Sequence, residues 1–349
     1  MTIRVAAGSI RDIDSETLQF AAQLGCSGVV LNTPPLTGRP SYGSNTLGGS
    51  YWDSSLGDEK PSKWTFLELL HLRMRIEDAG LKLEALENVP LSFYRQAIIG
   101  GPDRERQIDN YCETIMNVGR AGIPILGYHW MQNAVWRTSK TATARGGATT
   151  STFDQALVAN APAEEGTTYS ENEAWDRYAA FAERVVPVAE EAGIVLALHP
   201  DDPPVPVLAG APRLFINFEN FRRAVEDIAP SKNHKLNFCM GTWAEMGVEK
   251  MFEGMEYFSK AGNIAYVHFR NVRGEIPKFE ETFLDEGDVD CVRAINLLSE
   301  TGFDGFLIDD HVPHMTGDAV YMHRSRAFAI GYMRGLIHAI QGKQQPERH

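Results

Sequence analysis

The chain has 349 residues, and its 43% hydrophobic and 10% aromatic content is that of a globular protein with a sizeable core. Its 46 acidic and 33 basic residues give a formal net charge of −13. A surface this acidic repels phosphate backbones and anionic lipid headgroups, so we expect neither nucleic acid nor a membrane as a partner.

The cysteine content and the N-terminal residues indicate where the protein works. The first residues, MTIRVAAGSIRDID, lack the apolar region of a secretory signal, and no segment approaches the ~20 apolar residues of a membrane span. Four cysteines in a chain of this length do not make a disulfide framework. We therefore expect a cytoplasmic protein with reduced thiols, of which at most one is functional.

Short apolar runs rich in β-branched residues alternate with amphipathic segments along the whole chain. The predicted strands are 3–7, 28–32, 81–87, 123–129, 194–199, 235–239, 264–270 and 305–310. The predicted helices are 15–24, 64–79, 104–121, 173–192, 217–228, 248–261, 289–301 and 319–339. Six helices are followed by a glycine that can close them in the left-handed conformation, at positions 25, 80, 122, 193, 262 and 302.

Eight strand–helix repeats predict an α/β protein, a single (β/α)8 TIM-barrel domain over residues 1–349. The rival architecture is a doubly wound open sheet, but its usual GxGxxG fingerprint after the first strand is absent. Two long polar segments, 33–63 and 138–169, follow strands and should lie at the C-terminal face, where barrel active sites are found. They can be lids over a site or loosely ordered surface insertions, and composition alone does not choose between these.

Residues suited to metal binding stand at the ends of the last four predicted strands. The fifth strand ends in His199, the sixth in Cys239, and the seventh carries His268. In a closed parallel barrel these ends meet at one mouth, and imidazole, thiolate and carboxylate together suit a divalent transition metal. Asp309 and Asp310 compete for the fourth position, because alternate residues of a strand point to opposite faces. The strand pattern leaves that choice open.

Three further residues are predicted to bind substrate at the same mouth. Arg270 lies two residues after His268, on the same face of the strand, and Arg137 follows the fourth strand. Guanidinium groups bind carboxylates in pairs of hydrogen bonds, which would let an acidic protein bind an anionic substrate. Glu87, at the end of the third strand, is the third predicted contact if it faces inward; the alternative is an outward partner of neighbouring lysines and arginines.

The sequence resembles the metal-dependent mannonate dehydratases of bacterial hexuronate breakdown, which are barrels of the xylose-isomerase-like kind. The resemblance covers most of the chain, and it rests on GLKLEALENVP, DRERQIDNYCETIMNVGRAGI, the WRT of 136–138, LALHPDDPP, LNFCMG, VHFRN, EGDVD and IGYMRGL. It implies a metal held by His199, Cys239, His268 and Asp310, with His311 as an acid or base and Arg270 as a catalytic residue in contact with substrate. Mn²⁺ or Fe²⁺ are the metals we expect first, with Co²⁺, Ni²⁺ or Zn²⁺ as alternatives.

Several positions depart from the family pattern. Ile308 and Val312 replace the arginine and glycine that flank the family's Pro-Asp-His, and Glu280 and Leu284 stand where the family has two histidines. The family's catalytic tyrosine before the last helix aligns with Ala327. Tyr321 is our predicted catalytic substitute for it, and His323 is the other candidate.

The resemblance implies a hydro-lyase that acts on a small sugar acid, D-mannonate or a close relative. It would remove the C2 proton and the C3 hydroxyl to give a 2-keto-3-deoxy acid, and we expect the enzyme to be a homo-oligomer. The main alternative is a metal-dependent sugar or sugar-acid isomerase or epimerase, which would use the same ligands. A phosphodiesterase or repair nuclease would need a basic groove, which the net charge opposes. A non-catalytic sugar-acid binding protein is the remaining alternative.

Overall fold

The fold is given by a computed structural model that describes residues 3–10, 13–34, 36, 62–163 and 168–342. Eight parallel strands close into a barrel, and each is hydrogen-bonded to its neighbours in chain order, with the eighth beside the first. They are Arg4–Ile10, Gly28–Asn32, Lys82–Asn88, Ile125–Tyr128, Val195–Leu198, His234–Cys239, Ile264–His268 and Phe306–Ile308. The predicted TIM barrel is confirmed, with each strand within a few residues of its predicted position.

The helices pack outside the barrel and follow their amphipathic patterns. They are Ser15–Gln23, Phe66–Glu77, Arg104–Arg120, Glu171–Ala192, Phe218–Arg222, Val248–Lys260, Cys291–Glu300 and His323–Gln341, the fifth continuing as a π-helix over Arg223–Ile228. All six predicted closing glycines have positive φ, between 70° and 81°. Two further short helices, Arg95–Ile99 and Met240–Glu245, were not predicted, because runs of five or six residues are too short to show a helical period. No helix in the described ranges is both long and apolar enough to cross a membrane.

The barrel interior is filled by a small cluster separate from the large core beneath the helices. It combines small residues with two rings, Tyr266 and Phe306, that stack with centroids 5.1 Å apart. Ile308 belongs to this cluster and is fully buried. The interior is therefore a packed plug, and the open space lies above it at the C-terminal ends of the strands.

A four-stranded antiparallel sheet lies beside the strand ends and was not predicted. Its strands, in sheet order, are Asn271–Glu275, Lys278–Thr282, Thr149–Asp154 and Ser139–Thr143. Eleven of the 32 residues of the polar segment 138–169 thus form ordered sheet, because its β-branched threonines suit a strand and pair with a partner strand about 130 residues later in the chain. We call this the cap sheet. Most of the other polar segment, 33–63, lies outside the described residues.

Candidate metal centre and active-site cavity

Three strand ends bring their side chains together at the barrel mouth. Donor atoms of His199, Cys239 and His268 all lie within 4.8 Å of one another, one from each residue. The three residues come from three consecutive strands, whose ends meet only because the barrel is closed. Cys239 and His268 are buried, and the ring centroids of the two histidines are 5.1 Å apart.

The two aspartates of the eighth strand end face different ways. Asp310 lies at the cluster, with Oδ2 3.5 Å from His268 Nδ1 and 4.0 Å from Cys239 Sγ. Asp309 accepts hydrogen bonds from the Gly8 amide at 3.1 Å and from Arg326 at 2.8 Å. The structure thus places Asp310 where a fourth ligand would lie, and Asp309 on the opposite side of the strand.

Both histidines have one ring nitrogen held and the other free, as metal-binding imidazoles do. His199 Nδ1 is 2.7 Å from the Pro200 carbonyl oxygen and must donate to it, so Nδ1 carries the proton. The lone pair of Nε2 is then available to a metal ion. His268 Nε2 is 2.9 Å from Asn237 Nδ2, and Asn237 Oδ1 has no partner. With the amide turned over, Oδ1 accepts from Nε2–H, and the buried Nδ1, which has no hydrogen-bond partner, keeps its lone pair. A buried nitrogen left bare beside a carboxylate and a thiol is the feature that a metal ion would satisfy.

The charge around Cys239 favours the thiolate form. Burial alone would raise the pKa of this thiol, but the positive charge of Arg270, helped by His199 and His268, holds its pKa well below the usual range. Because the thiolate is the form that binds metal, the site is electrostatically prepared for one.

Arg137 is held by two carboxylates and has no N–H group left over. Its Nε and Nη2 donate to Glu281 Oε1 at 3.1 and 2.6 Å, and Nη1 and Nη2 donate to Asp202 at 2.5 and 2.9 Å. The remaining N–H of Nη1 bonds the Trp136 carbonyl at 3.0 Å. All five guanidinium donors are therefore used within the protein. Arg137 lines the cavity, so the prediction that it binds substrate stays a prediction, and such a contact would require the side chain to break one of these internal bonds.

Arg270 lies beneath the cavity rather than in its wall. It is 1% exposed and donates to Glu245 and Asp202, both at 2.9 Å, and to Thr242 at 2.8 Å. Its Nε is 3.1 Å from Asp310 Oδ2. In this geometry Arg270 neutralises and positions the carboxylates around the donor cluster, and the predicted substrate contact stays a prediction that the buried position does not support.

His311 lines the cavity and is oriented by a residue that the sequence pattern did not identify. Its Nδ1 is 2.6 Å from Glu281 Oε1, and its Nε2 is 3.7 Å from Asp310 Oδ1. Burial opposes a charge on this ring, but Asp310 and Glu281 raise the pKa of His311 to about 9. His311 is thus a proton-carrying group at the cavity wall.

Glu87 differs from the other acids of the cavity wall. Its Oε2 accepts a hydrogen bond from Ser9 at 2.8 Å, and Oε1 is 3.7 Å from His268 Nε2. The other carboxylates in the described part of the wall, Asp202, Glu281 and Asp310, each form ion pairs with an arginine, whereas Glu87 has none. Glu87 is also close enough to His268 and Asp310 to form a second group of possible metal donors.

Tyr321 does not reach the cavity, so its predicted catalytic role is not supported by its position. Its hydroxyl donates to the Gly8 carbonyl oxygen at 3.4 Å, and its ring packs 4.5 Å from the Arg326 guanidinium carbon. His323, the other candidate, packs edge-to-face on Phe20 at 4.7 Å. Neither residue lines the cavity.

The cavity has a volume of about 1020 Å³ and is bounded by strand ends on one side and by the cap sheet on the other. Residues of the cap sheet in its wall are Lys140, Thr149, Thr150, Ser151 and Glu281. Five non-glycine residues of the described chain have positive φ, and four of them line this cavity: Ser9, Thr33, Ala134 and Met322. Such conformations cost about 1–3 kcal/mol each and accumulate where function requires them. Strain therefore marks the same site as the donor cluster.

The sequence pattern missed Glu281 and Asp202 as organisers of the site. Asp202 was visible only as part of HPDDPP, and Glu281 lies in the cap strand Lys278–Thr282. Had the strand containing FEET been recognised, the alternation of its side chains would have placed Glu280 on one face and Glu281 on the other, toward the cavity.

Comparisons with known proteins agree with one another. The family model described as D-mannonate dehydratase (UxuA) matches residues 10–168 and 163–347. The mannonate dehydratase of Thermotoga maritima is 29% identical over 331 residues, covering 84% of this chain and 89% of that protein. The crystal structure of mannonate dehydratase from Streptococcus suis serotype 2 has a TM-score of 0.82 and 26% identity, covering 97% of this chain and 94% of that chain. A xylose isomerase domain protein from Planctomyces limnophilus, with 13% identity, a TM-score of 0.60 and coverage of 98% and 99%, shares the fold.

Proposed function

The chain belongs to the D-mannonate dehydratase family, and we propose that it is a hydro-lyase that converts D-mannonate or a close relative to a 2-keto-3-deoxy acid. The observation that carries this proposal is the convergence of His199, Cys239, His268 and Asp310 beside a cavity that His199 and Asp310 line and that is large enough for a six-carbon acid. The reaction removes a proton from C2 and a hydroxyl group from C3.

These four residues would hold a divalent metal, with Mn²⁺ or Fe²⁺ as the first candidates. Two imidazoles, a thiolate and a carboxylate form a donor set for such ions, and the free nitrogen of His268 supports the assignment. When bound, the metal supplies Lewis-acid stabilisation of the negative charge that develops next to the substrate carboxylate.

We assign Glu87 as the group that takes the C2 proton. A general base must be a free acceptor that faces the substrate, and Glu87 alone among the described wall carboxylates has no arginine partner. The Ser9 hydroxyl holds one carboxylate oxygen and leaves the other turned toward the cluster. This role replaces the one predicted for Tyr321.

His311 is assigned to proton delivery at C3. The Glu281 carboxylate, 2.6 Å from Nδ1, favours the protonated ring, which is the form that can protonate a departing hydroxyl. Glu281 fixes the ring through Nδ1, so the proton would be delivered from Nε2.

The substrate carboxylate needs a cation that the protein has not already paired. Arg137 and Arg326 line the cavity but are bonded to Glu281 and Asp309, respectively. Lys140, on the cap sheet, lines the cavity with no ion-pair partner among the described residues. We therefore assign Lys140 to the substrate's anionic group.

The test is a screen of aldonic and uronic acids with the chelator-treated protein, before and after addition of Mn²⁺, scored by formation of a 2-keto-3-deoxy acid. We expect activity only with metal, and on an aldonic acid. An isomeric sugar or sugar acid as the product would assign the protein to the isomerases or epimerases instead. Turnover that persists after complete metal removal would refute the metal-dependent mechanism.

Glu87→Gln separates the two roles open to this residue. If Glu87 is the base, the Glu87→Gln variant should lose turnover at least a hundredfold, while its dissociation constant for Mn²⁺ should change little. A large loss of Mn²⁺ affinity would make Glu87 a metal ligand, and unchanged turnover would exclude it as the base.

A further inference from the structure

The thiol of Cys239 receives a hydrogen bond from a buried hydroxyl. Thr242 lies three residues later in the helix Met240–Glu245, and its Oγ1 is 3.1 Å from Cys239 Sγ. Both residues are fully buried. The same oxygen accepts a hydrogen bond from Arg270 Nη2 at 2.8 Å. A guanidinium group can only donate, so the hydroxyl hydrogen is free to point at an acceptor.

Sulfur is the acceptor that the geometry favours. The alternative, Asp202 Oδ2, is 3.5 Å from the hydroxyl, which is long for an O–H···O bond, whereas 3.1 Å is short for a sulfur acceptor. Asp202 Oδ2 already accepts hydrogen bonds from Arg137 and Arg270. Because the hydroxyl accepts from a cation, it is polarised and becomes a stronger donor to the sulfur.

The Arg270 side chain is fixed in place for this contact. Glu245 and Asp202 hold it at 2.9 Å each. A Cβ atom at Gly241 would lie 2.5 Å from Arg270 Nη1 and 2.6 Å from its Cγ, so only glycine leaves room for the arginine here. The sequence Cys-Met-Gly-Thr therefore supplies the sulfur, the space for the guanidinium and the hydroxyl between them.

We propose that Thr242 is a positioning residue that sets the metal preference of the site by weakening the Cys239 thiolate as a donor. A hydrogen bond to a ligating sulfur withdraws electron density from it and tunes the metal centre. A weakened thiolate disfavours thiophilic ions such as Zn²⁺ more than Mn²⁺, which depends less on sulfur. This inference rests on the metal ligands proposed above.

The experiment compares metal binding in the wild type, Thr242→Val and Thr242→Ser, with Thr242→Ala as a second variant that lacks the hydroxyl. Dissociation constants for Zn²⁺ and Mn²⁺ are measured by competition with a chelator. The sulfur-to-metal charge-transfer band is recorded with Co²⁺ in the site. Without the hydroxyl, the ratio of the Mn²⁺ to the Zn²⁺ dissociation constant should rise about tenfold, and the Co²⁺ band should move to longer wavelength. Serine keeps the hydroxyl and should restore both values.

The inference is overturned if Thr242→Val or Thr242→Ala has the same ratio of dissociation constants and the same Co²⁺ band position as the wild type. That outcome would leave the proposed ligands intact. If the wild type itself shows no sulfur charge-transfer band, and Cys239→Ser binds both ions as the wild type does, then Cys239 is not a ligand. The inference and the proposed metal set then fail together.

Discussion

Two consecutive glutamates of the cap sheet provide a matched pair for testing the charge network around the cavity. Glu281 is 5% exposed, and its Oε1 accepts bonds from both Arg137 and His311. Glu280, its neighbour, faces solvent and pairs with Arg273 at 2.6 Å across the sheet, both side chains being more than a third exposed. Replacing each by glutamine removes one charge and almost no volume.

The expected magnitudes follow from these surroundings. In Glu281→Gln the amide oxygen can still accept from Arg137 and His311, and the amide nitrogen can donate to Ser151, now 2.7 Å from Oε2. The lost quantity is therefore the charge, and removing one partner of a buried ion pair costs ~3–5 kcal/mol. Arg137 keeps Asp202, so we expect the lower end, about 3 kcal/mol. For Glu280→Gln we expect about 0.5 kcal/mol, as for other exposed pairs.

The assay is equilibrium urea unfolding of the two variants and the wild type at one fixed metal concentration, followed by circular dichroism. The dehydratase rate is measured alongside. Glu281→Gln should lose most of it, because His311 keeps its hydrogen bond but loses the negative charge beside Nδ1 that favours its protonated form. A free energy of unfolding for Glu281→Gln within about 1 kcal/mol of Glu280→Gln would show that the buried network does not act as described.

Two further predictions concern the cavity wall and the core. Lys140→Met should raise KM for the acid substrate about tenfold or more, with kcat changed much less. Lys140→Arg keeps the charge and should behave nearly as the wild type. Wild-type values of KM and kcat in Lys140→Met would exclude the anion-binding role. His234 is fully buried between Tyr128 and the Ala229 carbonyl, and burial lowers its pKa to about 4. The folded state thus keeps it neutral while the unfolded chain gains a proton below about pH 6.5, so its contribution to stability falls by about 3 kcal/mol between pH 6.5 and pH 4. The wild-type free energy of unfolding should therefore drop more steeply over that range than that of His234→Gln, and parallel curves would contradict the assignment.

The barrel could be predicted from the sequence because its signals are local. Each strand is a short apolar run, and each helix repeats apolar residues at helical spacing. Six of the helices are followed by a glycine that ends them. The residue types at the strand ends also belong to the local pattern. Parallel closure then implies that His199, Cys239 and His268 meet at one mouth, since all barrel strands present the same end there.

The charge network could not be predicted in this way because its partners are far apart in the chain. Arg137 pairs with Asp202 at a separation of 65 residues and with Glu281 at 144. From sequence, an arginine near a site is predicted to contact substrate. Whether it has an N–H group free to do so depends on its other partners, and Arg137 has no free N–H group. Only the folded structure shows that the protein's own carboxylates already use it.

The sequence by itself determined the barrel, the order of its strands and the residue types offered at the mouth, because periodicity and strand ends are properties of neighbouring residues. Tertiary structure decided the rest. It turned Asp310 rather than Asp309 toward His268, placed Tyr321 outside the cavity, and built a cap sheet that brings Glu281 to His311. Each of these depends on pairings between distant segments, whose register is set by packing and by the mutual neutralisation of buried charges.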